Sequence, residues 1–111
     1  MSRRRLSLLV ILCIDFNGVI EDSKNVEKGR KLGPPMPGAV DALQDLYQSH
    51  TLIIHTTMAN TPSGRRAVAD WLEYYDVDYS EIVGKPKADC YLDDKGQKFI
   101  SWKSAMIKLD N

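Results

Sequence analysis

Short apolar runs alternate with longer amphipathic stretches along this chain. Residues 8–14 (LLVILCI), 51–55 (TLIIH) and 88–92 (ADCYL) are nearly unbroken apolar blocks of strand length, and residues 76–83 (DVDYSEIV) leave room for one short strand more. Continuous apolar runs of that length describe strands covered on both faces, as in a parallel sheet. Between them lie two segments with helical spacing. Pro37 opens the first, with Val40, Leu43, Leu46 and Tyr47 on one predicted buried face, and it ends near Ser49 and His50. Thr61-Pro62 supplies a cap and a first-turn proline to the second, which Val68, Trp71, Leu72 and Tyr75 stripe as core. A short extended piece at Phe99 and Ile100 then leads to a helix capped by Ser101 and carrying Trp102, Met106 and Leu109.

This alternation predicts an α/β fold: a three-layer, doubly wound, mostly parallel Rossmann-like sheet with helices on both faces. Residues 21–32 (EDSKNVEKGRKL) break the pattern. They are charged, lie between Gly18 and Gly33-Pro34-Pro35, and read as a surface hairpin or flap too polar for core.

At 111 residues, 43% hydrophobic and 27% charged, the composition is that of one globular domain spanning 1–111. A chain of this size buries roughly two-thirds of its unfolded surface, enough for one core and no separate covering domain. The site is therefore expected to be open, or closed by a homo-oligomer partner. Lys plus Arg and Asp plus Glu are both 15, so no global field draws nucleic acid or an anionic membrane. Cys13 and Cys90 sit in strand-like segments and read as free thiols of a reducing, cytoplasmic setting. Residues 1–13 have the charge-then-apolar order of a secretory signal. The run is too short to span a bilayer, and cleavage at Cys13 would cut the first strand, so it is read as part of the fold.

Chemistry-bearing residues cluster at strand ends. Asp15 closes the first run, Thr56 follows the second, Lys85 lies in the loop before the last, and Asp93-Asp94 close that last run. Each has an ordinary structural reading as a turn former, a cap or a solvated charge. In a doubly wound sheet, however, the carboxyl ends of neighbouring strands share one edge, so these residues would meet in one crevice. An acid, a hydroxyl, a cation and an acid pair suit phosphate chemistry. Magnesium takes hard carboxylate oxygens, which Asp15 and the Asp93-Asp94 pair could supply. Thr56, Lys85 and the backbone amides after Asp15 would face the phosphate oxygens. His55, Met58, Arg65 and Arg66 lie near that edge in sequence, the arginines reading as a solvated helix face.

The ordered set resembles the haloacid dehalogenase superfamily of aspartate-nucleophile phosphatases. LLVILCIDFNGV (8–19) stands as the first motif, LIIHTT (52–57) as the second, GKPKAD (84–89) as the third and CYLDD (90–94) as the fourth. The resemblance implies a central first strand, Asp15 as a nucleophile that becomes a phospho-aspartyl group, and Thr56 and Lys85 as phosphoryl ligands. It implies magnesium held by Asp15, the main-chain carbonyl of Asn17, and Asp93 or Asp94, with Asp94 favoured as the direct ligand. The short segments between motifs look like the capless branch, and GKPKADCYLDD is similar to small bacterial and phage hydrolases of unassigned substrate.

Position 17 departs from that pattern. The family's phosphatases usually carry Asp there, as general acid to the leaving group and then base to water. An amide donates or accepts a hydrogen bond but carries no exchangeable proton near neutral pH. Three explanations stand side by side: a native, slow enzyme; a native module that binds phosphate or metal without turnover; or an introduced change. A two-component receiver domain uses similar residues, but its acid pair comes early in the chain, whereas here it follows Thr56 and Lys85.

Overall fold

A computed structural model describes residues 10–84, 90–93, 97–98 and 102. The strands are β1 (Ile11–Asp15), β2 (Thr51–His55), β3 (Glu81–Val83), β4 (Cys90–Asp93) and β5 (Gln97–Lys98), and the helices are α1 (Ala39–Tyr47) and α2 (Pro62–Tyr74). They form one parallel sheet in the order β3-β2-β1-β4-β5, with β1 at its centre. This is a small parallel α/β domain of the expected class.

Chain direction across the sheet determines where the helices lie. From β1 through β2 to β3 the chain steps the same way twice, and two right-handed crossovers in one direction put both helices on one face. The packing agrees. Leu12 and Ile14 of β1 and Leu52 and Ile54 of β2 join Leu43 and Leu46 of α1 and Val68, Trp71 and Leu72 of α2 in a single cluster. Cys13 and Ile53, of opposite parity, are buried as well, so the second face of the central strands is also covered. The third layer of the predicted sandwich falls on residues outside those described. So does the predicted tail helix, except for Trp102, which is helical and buried and donates from Nε1 to the Val19 carbonyl at 2.8 Å.

One local expectation needs correction. Helix α1 begins at Ala39 behind a left-handed Gly38, and its buried residues are Ala39, Ala42, Leu43 and Leu46. Val40 is half-buried and Tyr47 is 41% exposed. At about 100° per residue, Val40 and Tyr47 stand about 80–100° round the helix from Ala39, at the edge of the buried face. The extended piece expected at 99–100 falls outside the described residues, and the strand pairing observed there is at Gln97–Lys98.

Helix α2 starts as its sequence predicts. Thr61 accepts from the Gly64 amide at 3.0 Å through its side-chain oxygen, and Pro62 opens the first turn. Thr61→Ala should lower stability by about 0.5–2 kcal/mol, read as a lower urea midpoint at unchanged slope. Among the described residues no helix is long and apolar enough to cross a membrane.

Candidate functional site

The strand order reverses direction between β1 and β4: the chain reaches β3 on one side of β1 and then resumes on the other. Such a reversal opens a crevice beyond the carboxyl ends of the two strands. The register places acids there. Ile14 pairs with Leu92, so the next residues, Asp15 and Asp93, close β1 and β4 at the same level. On the other flank Asp15 is level with His55, and the Phe16 amide donates to the His55 carbonyl at 2.9 Å. The Thr56 amide continues the ladder to the Val83 carbonyl at 3.2 Å. Three neighbouring strand ends are thus tied together.

A tight turn follows Asp15. The Phe16 carbonyl accepts from the Ile20 and Glu21 amides, both at 2.9 Å, and the Glu21 carbonyl accepts from Gly18 at 2.8 Å. Gly18 has φ +84°, a left-handed conformation that side-chain-bearing residues rarely adopt. The turn also revises one expectation. The amides of Phe16, Gly18, Ile20 and Glu21 are spent on protein carbonyls, so the run after Asp15 is not an open anion nest over its whole length.

Asn17 is the hub of the described site. Its Oδ1 accepts from the Thr56 hydroxyl at 2.9 Å, and its Nδ2 donates to Glu21 Oε1 at 3.2 Å and toward the Met58 sulfur at 3.6 Å. Thr56 is 2% exposed, and its oxygen also accepts from the Met58 amide at 3.1 Å as the cap of the 3₁₀ turn Thr57–Asn60. The structure therefore brings Asp15, Asn17 and Thr56 together, but with the Thr56 hydroxyl proton directed at Asn17. A phosphoryl oxygen would receive that proton only after the hydroxyl rotates.

Sequence reading missed Glu21. It opens a charged stretch that looked solvated, yet it is 1% exposed. Its Oε1 accepts from Ser23 as well as Asn17, and its Oε2 accepts from the Gly33 amide at 2.6 Å. The Gly33 carbonyl in turn accepts from the Trp71 indole at 2.9 Å. A Cβ at residue 33 would stand 1.9 Å from the Asp22 carbonyl oxygen, so a side chain there would force the loop apart. The flap is thereby stapled to helix α2 at one end and to the site at the other. The one sequence clue was spacing: Glu21 stands four residues beyond Asn17, just after the apolar pair Val19-Ile20.

The remaining candidates divide. Met58 does reach the site. His55 is half-buried beside Asp15, and its Nδ1 has no hydrogen-bond partner among the described residues. Arg65 donates to the Ile82 carbonyl, and Arg66 makes a solvent-exposed ion pair with Asp70 at 3.7 Å. Lys85 and Asp94 lie outside the described residues, and of Asp93 the backbone alone is described. No group of three or more potential metal ligands occurs among the described residues. No protein-family model matches the sequence, and no curated protein matches it.

Proposed function

We propose that this chain is a magnesium-dependent phosphohydrolase or phosphotransferase of the capless haloacid dehalogenase type, with Asp15 as its nucleophile. The observation that carries the reading is the meeting of Asp15 and Asn17 of the first motif with Thr56 of the second, at the reversal point beside the end of β4. The central place of β1 supports it, because crevice chemistry is then delivered by a strand flanked on both sides and buried at Leu12, Cys13 and Ile14. The donor chemistry fits magnesium. Asp15 and the Asn17 carbonyl follow the end of β1 and Asp93 closes β4 at the same level, with Asp94 next to it in sequence, all hard oxygen ligands. When bound, the ion would neutralise phosphate charge and the mutual repulsion of these acids.

In this reading the Asp15 carboxylate attacks phosphorus, the ester oxygen departs, and water later releases phosphate from the phospho-aspartyl group. Thr56 and Lys85 hold the non-bridging oxygens. Asn17 supplies no proton at either step, and proton transfer of that kind is worth about 10²–10⁴-fold, so turnover is slow and favours good leaving groups. The protein should release p-nitrophenol from p-nitrophenyl phosphate with magnesium and lose that activity in excess EDTA. No release above buffer under any of these conditions would sink the reading.

One observation favours a second reading, a non-catalytic phosphate- or metal-binding or regulatory module: the buried Thr56 hydroxyl is already committed to Asn17. Calorimetric titration with magnesium and inorganic phosphate, followed by mass spectrometry of Asp15, separates the two. Binding without a phospho-aspartyl adduct supports the module, and an adduct that forms and decays supports the enzyme.

A further inference from the structure

We propose that Glu21 is a positioning residue that dictates an amide, and excludes a carboxylate, at position 17. The inference deepens the phosphatase reading in its activity arm and stands without it in its stability arm.

Glu21 is a buried carboxyl group, and the donors that meet it among the described residues are neutral. Asn17 Nδ2 at 3.2 Å and Ser23 Oγ at 2.6 Å meet Oε1, and the Gly33 amide at 2.6 Å meets Oε2. Its main chain joins the same turn, donating to the Phe16 carbonyl and accepting from Gly18. On the far side of Asn17, Oδ1 takes the Thr56 hydroxyl proton, while the Thr56 oxygen is occupied by the Met58 amide. The amide orientation follows from this circuit. Turned over, it would oppose Oδ1 to the Glu21 oxygen and present its NH₂ to an oxygen that already accepts.

The family pattern would put Asp at this place. Its second oxygen would fall where Nδ2 stands, facing Glu21 Oε1 at about the same 3.2 Å, and with both groups ionised no hydrogen would lie between them. Two acceptors that close, in a site where Glu21 is 1% exposed, repel and lose a hydrogen bond together. An amide at position 17 is therefore the partner that this loop is built for, and Glu21 accounts for it. Glu21→Gln reverses the polarity. Its Oε1 still accepts from Gly33, and its Nε2 donates toward residue 17, the rotatable Ser23 hydroxyl adapting to either.

The test is a two-by-two set: the parent, N17D, E21Q, and N17D with E21Q, read by thermal melting and by p-nitrophenyl phosphate kinetics in magnesium. N17D alone should lower the melting temperature by about 10 °C or more and yield no gain in kcat. The double variant should recover most of that loss and raise kcat at least about 100-fold over the parent with KM little changed, because a carboxylate then stands at position 17 correctly held. An effect of the two changes that is simply additive in melting temperature, or N17D as stable as the parent, overturns the proposal. If N17D does not fold, a folded double variant supports it, whereas a double variant that fails although E21Q folds refutes it. If no variant releases phosphate, the phosphatase reading fails, and coupling in the melting temperatures still decides the role of Glu21.

Discussion

Replacing Asp15 by asparagine should reduce magnesium-dependent release of p-nitrophenol to the rate of buffer alone and leave the circular dichroism spectrum intact. The argument is chemical. An amide nitrogen or oxygen of the same shape is a poor nucleophile toward phosphorus, so the phospho-aspartyl step has no route. Structurally the change is mild, because Asp15 is half-buried at a strand end and the substitution preserves its volume; a cost of about 1 kcal/mol or less is expected. Mass spectrometry of the parent after exposure to substrate should place any phosphate on the peptide carrying Asp15, and the variant should show none. Activity surviving in the variant would remove Asp15 from the mechanism and overturn the phospho-aspartyl reading.

Phe16→Ala should be the most destabilising single change near the site, costing about 3–5 kcal/mol. Phe16 is fully buried and meets the Trp71 ring edge to face at a centroid distance of 5.0 Å. Truncation leaves a cavity at the junction of β1, α2 and the flap, against a total stability of about 5–15 kcal/mol for a domain of this kind. Urea unfolding would measure it, with Phe16→Leu losing less because it keeps most of the volume. If Phe16→Ala costs under about 1 kcal/mol, the packing described around Trp71 is wrong.

Much of the fold was legible because local chemistry and tertiary packing point the same way. The run ending at Asp15 is too apolar to be anything but a buried strand, and Thr61-Pro62 marks a helix start that needs no distant partner. Where reading by pattern failed, the deciding contact was remote or counter to size. In α1 the pattern favoured Val40 and Tyr47 as core, but the buried face takes in Ala39 and Ala42 with Leu43 and Leu46 and leaves Val40 and Tyr47 at its edge. At the site, Asp15 and Thr56 were visible as strand-end polar residues, and their shared neighbour Asn17 was visible as an anomaly. Glu21 was not, because its burial depends on an amide twelve residues away at Gly33 and on a loop path that no periodicity encodes. The roles of Lys85 and Asp94 remain proposals from the motifs.

Gly33 gives the hydrogen bonds from Asn17 through Glu21 to Trp71 a thermodynamic meaning. Its amide serves the site and its carbonyl serves a core tryptophan, so the flap's anchor and the core's indole are satisfied by the two main-chain groups of one residue. Opening events in proteins normally begin in loops and spare the core. Here, releasing the inner end of the loop would strand a buried indole N–H, so the site should open only in the same cooperative event that melts the core around Trp71. The exposed arc at residues 24–31 can fray without reaching Asn17, and the candidate site shares the global stability of the sheet rather than having a weaker one of its own.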